Sequence, residues 1–275
     1  MTSITQSVPL NPAQAERPKS MPVLGQILMM TKRSLIIQFR SPGELLPSIL
    51  IGVFFLFIYD SAFGGTAQFL PALRGVNYLA FILPLSVISG ALNPPAGQQM
   101  VRDIKSGYFD KLLLTPINRS ALLLGHILSS GVVIALQTAL IVGVALLRGL
   151  ESVTGGWGLL ALIALAVVVG MGFSGFTVGI ALRTGSPAAA QGASLIFFPL
   201  SFLTSAYFPL EYLDGWLQTA ARLNPITYLL DATRVVLIEG WIWNDIWPGL
   251  IACVGLTVIP FLFALWSLYE RSKQR

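Results

Sequence analysis

With 275 residues, 55% of them apolar, only 11% charged and a mean hydropathy of +0.75, the chain is too poor in charge for a soluble domain, where about a quarter of residues are charged. It reads as an all-α polytopic membrane protein. The net charge of +5 does not signal nucleic acid, because no soluble segment is long enough to gather Lys and Arg on one face. The single cysteine, Cys253, lies in an apolar run, which excludes an intramolecular disulfide and suits an inert buried thiol.

Residues 1–20 carry Pro9, Pro12 and Pro18 among polar neighbours and lack the basic start and apolar run of a signal peptide, so a disordered cytoplasmic tail is expected. A single domain over residues 21–275 follows. Residues 23–40 read as an amphipathic helix lying along the membrane surface. At 100° per residue Leu24, Leu28, Leu35 and Phe39 share one stripe of about 60°, with Gln26, Arg33 and Arg40 on another, although Met29, Ile36 and Ile37 fall near the basic side. Such a helix places basic residues against anionic headgroups. Ser41, Pro42 and Gly43 end it.

A first span is expected over residues 45–63, close to the length a bilayer core requires, with Asp60 at its interfacial end rather than deep in lipid. The second, over 76–100, contains Asn93, Pro94 and Pro95. Proline frees backbone carbonyls that must find partners in protein or water, so a kink or early end facing protein is predicted here. Residues 101–119, with four basic and two acidic side chains, are a charged interruption that belongs in water. The third and fourth spans cover 121–147 and 157–182. Near the start of the third lies His126, with no second histidine or nearby thiol to make a metal site; Gly175 and Gly179 in the fourth have the spacing that lets helices approach closely, read as intramolecular packing.

A polar turn at 183–187 leads to a fifth span over 188–208. Residues 209–245 are too apolar for a loop and too charged for a span. Leu210, Leu213, Leu217 and Ala220 keep helical spacing, and Asn224 before Pro225 supplies an N-cap and a proline at the first helical position. Two short amphipathic helices dipping into one leaflet fit this pattern, with tryptophans 216, 241, 243 and 247 at the interface. A sixth span, 247–268, ends in a polar tail.

Six spans put both termini on one side. That side would hold thirteen basic residues, Arg17, Lys19, Lys32, Arg33, Arg40, Arg102, Lys105, Lys111, Arg119, Arg183, Arg271, Lys273 and Arg275, against Arg74, Arg148, Arg222 and Arg234 on the other. Thirteen against four makes the first side cytoplasmic.

No GxxxxGK[S/T] loop occurs, so the chain does not bind ATP by that route. Neither catalytic nor metal-binding residues are gathered anywhere, and the spans lack the mid-membrane ionisable groups of a proton- or sodium-coupled transporter. Energy for uphill transport would have to come from another chain.

The stretch from Asp103 to Asp110, DIKSGYFD, followed by Thr115-Pro116-Ile-Asn-Arg119-Ser-Ala121, resembles the cytoplasmic loop of type-2 ABC exporter permeases, specifically the daunorubicin-resistance branch. Pro199 to Ser205, Phe208-Pro209, Trp216-Leu217, Asn224-Pro225 and Arg234 resemble that family's signature at the end of the fifth span and in the external helices. Both motifs stand in order, and the likeness covers essentially all of the chain after residue 20. Lys111-Leu-Leu-Leu114 is more apolar than in some members.

The resemblance implies a membrane permease that exports a hydrophobic or amphiphilic compound by alternating access. It implies a homodimer in the plasma (inner) membrane carrying two copies of a separate ATP-binding subunit, with ATP and Mg held on that partner and no cofactor on this chain. The segment from Asp103 through Lys105, Gly107, Tyr108, Asp110, Lys111, Thr115 and Pro116 to Arg119 would be the coupling surface, with the amphipathic helix and its Lys32 and Arg33 alongside. Val101, Ile104, Tyr108 and Leu112 recur at three- and four-residue steps and suit a groove in the ATPase, the charges fixing register. The second and fifth spans would line the path with Ser86, Ser89, Asn93, Phe197, Phe198, Phe202 and Thr204. Pro209, Trp216, Asn224, Pro225 and Arg234 would organise the external helices. Two alternatives stay open: a lipid-linked glycan or glycolipid as cargo, and a passive channel or scaffold without an ATPase.

Overall fold

The computed structural model describes residues 21–67, 69, 75–115, 117–207 and 209–273. The expected tail at 1–20 and the motif positions Pro116 and Phe208 lie outside them. Helices in chain order are α1 Val23–Phe39, α2 Pro42–Ala67, α3 Tyr78–Ala91, α4 Ala96–Lys105, α5 Tyr108–Leu113, α6 Arg119–Leu147, α7 Gly155–Thr184, α8 Pro187–Leu195, α9 Phe197–Phe202, α10 Gly215–Leu223, α11 Pro225–Ile238 and α12 Trp243–Lys273. No strand occurs among the described residues.

Five helical segments among the described residues are long and apolar enough to cross a bilayer: Leu45–Gly65, Tyr78–Lys105, Arg119–Leu147, Gly155–Thr184 and Trp243–Arg271. The chain is a multi-pass membrane protein. The second crossing breaks where its prolines stand, with α3 ending at Ala91 and α4 beginning at Ala96. Pro94 and Pro95 carry no N–H to continue the ladder.

The expected fifth span, 188–208, is not one continuous helix but α8 and α9, interrupted at Ile196 and irregular after Leu203. Pro199 accounts for the break: it has no N–H for the carbonyl of Leu195, and it is tolerated only in the first turn of a new helix. The contacts at the two ends of this segment are to different helices. α7 ends where Arg271 of α12 hydrogen-bonds the Leu182 carbonyl, whereas the carbonyls of Leu200 and Leu203 at the end of α9 accept from Asn224 at the head of α11, 2.8 Å in each case.

The bundle therefore has two distinct ends. Arg102, Lys105, Lys111, Arg119, Arg183, Arg271 and Lys273 stand at helix termini at one, here called the basic end, where Arg33 also meets Asp103; Arg148 stands at the terminus of α6 at the other. At that far end Arg148 pairs with Asp60 at 2.6 Å and the Val153 N–H donates to the Leu237 carbonyl at 2.9 Å. Asp60, near the end of the first span, is thus paired with a cation.

α3 is the central helix, and Ser89 is its one residue that is not buried. Around it lies the larger apolar core, with Ile82, Leu85, Ile88, Ile134, Leu162, Phe173 and Leu229; a second core at the basic end contains Met100, Val101, Phe109, Leu123, Leu182 and Leu268. α7 and α12 pack so closely that a Cβ on Gly172 would stand 2.5 Å from the Leu256 carbonyl oxygen, and one on Gly175 3.3 Å from Phe261 Cα. The small residues serve packing within the chain.

Candidate functional site

Two places combine chemistry with access: the surface at the basic end, and a cavity where α3/α4 and α8/α9 break.

At the basic end α1 runs along the first half of α6, and the face it buries is its polar one. Gln26, Ser34 and Gln38 are buried, whereas Leu24, Leu28, Met29 and Phe39 are exposed. Gln26 accepts from the Asn118 N–H at 2.8 Å, and the Gln38 amide donates to Gln99 at 2.7 Å and to Ser129 at 3.0 Å. Arg33 does not meet headgroups as expected for a surface helix. It donates both guanidinium arms to Asp103, at 2.8 and 2.7 Å, and lies 3.7 Å from the centre of the Tyr108 ring. Its charge-assisted bonds to Asp103 raise the Arg33 pKa above its ordinary value. Nε2 of His126 is 3.3 Å from Asp103, and Ser34 Oγ is 3.3 Å from His126 Nδ1. His126 is a member of this internal polar layer, and no metal-ligating cluster occurs among the described residues.

This layer divides the expected coupling residues. Asp103, 6% exposed, and Val101, fully buried, are engaged inside the chain and present nothing to a groove. Gly107, at φ +70°, makes the turn between α4 and α5 that only glycine adopts readily. Tyr108 and Asp110 are half-buried, and Lys32, Lys105, Lys111, Thr115 and Arg119 are exposed. Leu114, 88% exposed, adds an apolar group to that rim which helical spacing did not single out, and Phe109 anchors α5 in the basic-end core.

The cavity, about 380 Å³, lies between α2, α3, α8 and α9. Of the residues expected along the path, Ser89, Asn93 and Phe202 line it. Ser86 does not: it is fully buried with its hydroxyl donating to the Ile82 carbonyl at 3.4 Å. Nor does Thr204, buried and donating to the Ser201 carbonyl at 2.7 Å. The side chains of Phe197 and Phe198 lie outside the described atoms. Most of the aromatic wall comes instead from α2, with Phe54, Phe55 and Tyr59, and from Tyr207 after α9. The Tyr59 and Tyr207 hydroxyls are 3.0 Å apart and their rings meet edge-on at 4.8 Å; Phe55 stacks on Tyr59 at 5.4 Å and Phe202 lies 5.6 Å from Tyr207. The i, i+4 aromatic spacing of Phe55, Tyr59 and Phe63 was the sequence signal for this wall.

Arg234 of α11 holds the irregular segment before Tyr207. It is buried, donates to the carbonyls of Phe81 (3.0 Å), Ser205 (2.7 Å) and Ala206 (2.6 Å), and lies 3.7 Å from the Phe81 ring centre. Asn224 caps α11 by accepting from the Ile226 N–H at 3.0 Å, with Pro225 at the first helical position as anticipated. Pro209 precedes a single 3₁₀ turn, and Trp216 on α10 is 75% exposed.

A bundle of long apolar helices, with a cavity where two of its helical segments break and a basic rim at one end, is that of a multi-pass membrane protein. The chain belongs to the ABC-2 type transporter family, whose profile matches residues 25–238. Membrane subunits of this family carry no ATPase domain. The chain is 25% identical over 263 residues, 94% of its length and 90% of the relative's, to the daunorubicin resistance ABC transporter permease protein DrrB1 of Streptomyces coeruleorubidus. It is 21% identical over 263 residues, 94% of both chains, to the probable doxorubicin resistance ABC transporter permease protein DrrC of Mycobacterium tuberculosis. With the probable multidrug ABC transporter permease YbhR of Escherichia coli it shares 24% over 158 residues, 55% of this chain and 42% of that one.

Proposed function

We propose that the chain is the membrane half of an exporter for a hydrophobic or amphiphilic compound, working as a homodimer with two ATP-binding subunits that hold ATP and Mg. The observation that carries this is that two broken helices meet at one aromatic cavity with sparse polar groups, Ser89, Asn93, Gln191 and Ser201 beside the tyrosine hydroxyls. Discontinuous helices at membrane depth are tolerated where they line such a cavity. The relatives' names, which speak of drug resistance, support the same cargo class.

In this reading α8 and α9 form the sixth crossing, both termini face the cytoplasm, and the protein resides in the inner membrane. The 16 residues from Pro187 to Phe202 span about 24 Å as helix, with the irregular residues beyond adding the remainder of a core of about 30 Å. The ATPase docks on Lys105, Lys111, Leu114, Thr115 and Arg119, while Asp103 and Arg33 carry movement of α5 inward to α1, α4 and α6. The two ATPases, closing on ATP, would bias the dimer between inward- and outward-open states.

The test is co-purification with the cognate ATP-binding subunit and drug-stimulated ATP hydrolysis in vesicles. Leu114→Glu with Lys111→Glu is expected to lose the ATPase while leaving a folded permease. Asn93→Trp is expected to retain the ATPase and lose stimulation by drug. A permease that binds no ATPase in its native form would refute the exporter reading.

A further inference from the structure

A second cavity, of about 350 Å³, opens between α7, α11 and α12, and no charged side chain lines it. The hydroxyl of Thr233 is turned away into the α11 backbone, donating to the Leu229 and Leu230 carbonyls at 3.0 and 2.8 Å. Ala161 and Ala164 leave room where a larger side chain would fill the slot. At the far end from the basic rim stand Trp241 and Trp243, 47% and 65% exposed; Val168 and Cys253 lie deepest, with the Thr257 hydroxyl bonded to the Val168 carbonyl at 3.2 Å below them.

The dimensions indicate what fits. From Trp243 to Cys253, and in parallel from Gly158 to Val168, each helix descends ten residues, roughly 15 Å. That is the depth of one hydrocarbon leaflet, half of a core of about 30 Å. Tryptophan pairs favour the headgroup level, and a polar solute would find no partner along these walls.

We propose that this slot binds one acyl chain of a membrane lipid, standing along α7 and α12 with its headgroup at Trp241 and Trp243. The site is separate from the cavity at the broken helices and needs no ATPase partner. The full chain would be placed in phosphatidylethanolamine and phosphatidylglycerol vesicles doped with a phosphatidylcholine bearing a photoactivatable diazirine on one acyl chain. Cross-links would then be mapped residue by residue. Slot residues Leu165, Leu250 and Cys253 are expected to be labelled beside the lipid-facing Val254 and Ile259, which are 60% and 70% exposed. Ala161→Phe, which fills the slot, is expected to reduce the slot labels by about tenfold through steric exclusion and leave Ile259 labelled as before. Ala164→Phe replaces it if the first variant does not elute as a folded species. Label confined to the exposed face would overturn the proposal, whether the slot stays empty or is covered by a second copy. So would slot labels undiminished in a folded filled variant.

Discussion

Asp103 has the sharpest consequence of any single residue. Its carboxylate takes both arms of Arg33 and lies within 3.3 Å of His126, so removing it leaves the Arg33 guanidinium and the His126 ring without their shared partner. Breaking a buried pair from one side costs about 3–5 kcal/mol; here Arg33, with 29% of its side chain exposed, recovers part of that through water. Asp103→Ala is therefore expected to lose about 2–3 kcal/mol and to expose α1 to protease. Limited proteolysis with thermal unfolding followed at Cys253 would check this, and a variant as stable as the parent would show that the contact contributes nothing. Arg234 is different, because its guanidinium donates to three backbone carbonyls, those of Phe81, Ser205 and Ala206. Arg234→Met keeps the volume and loses the donors, for an expected cost of about 3 kcal/mol. Since Ser205 and Ala206 then lose their anchor, Tyr207 is expected to move, and under the proposed exporter function the variant is expected to keep the ATPase on co-purification but to lose stimulation by cargo.

At the scale of elements, the α7–α12 contact is set by the absence of side chains. Gly172→Val would push a branched side chain into the Leu256 backbone, forcing the helices apart, and is expected to abolish the folded, monodisperse species in detergent. Gly255, on the same α12, has nothing within 4 Å of its missing Cβ. Gly255→Ala is expected to stabilise slightly, by up to about 1 kcal/mol, which separates close approach from helix propensity. Size-exclusion profiles and unfolding midpoints of the two variants would decide it.

The elements also show which signals a sequence carries. The break at Asn93-Pro94-Pro95 and the Asn224 cap were legible because each follows from one residue's missing N–H or available carbonyl. The break at Ile196 has the same cause in Pro199, but the mostly apolar run 188–208 around it reads as a span by composition. Which face of α1 packs was not legible at all: a stripe of Leu and Phe suits lipid or core equally, and only the Gln38–Gln99 and Arg33–Asp103 partners, 61 and 70 residues away, decide it. The cavity wall was half legible, since Ser89, Asn93 and Phe202 lie on spans expected to line a path. Tyr59 and Tyr207 were missed because their pairing joins residues 148 apart.

For the whole molecule, the direction of every helix turns on α8 and α9. α2, α3 with α4, α6 and α7 run alternately between the two ends, and α7 finishes at the basic end beside Arg271. α12 starts from the far end, next to α11. If α8 and α9 cross the bilayer, residues before and after them lie on opposite sides of the membrane. If they form only a re-entrant pair, both lie on one side, and the two termini are separated by the membrane. Single cysteines replacing Thr184, Glu211, Lys111 and Glu151 in a Cys253→Ser background distinguish the two with a membrane-impermeant maleimide applied to intact cells. Thr184→Cys and Lys111→Cys are expected to label only after lysis, and Glu211→Cys and Glu151→Cys before it. Matching accessibility at 184 and 211 would remove the sixth crossing and reverse the side assigned to either α7 or α12. Label at Glu211→Cys before lysis and at Thr184→Cys only after it fixes the basic end in the cytoplasm, the side on which the proposed docking of an ATP-binding subunit at Lys105, Lys111 and Leu114 requires it to lie.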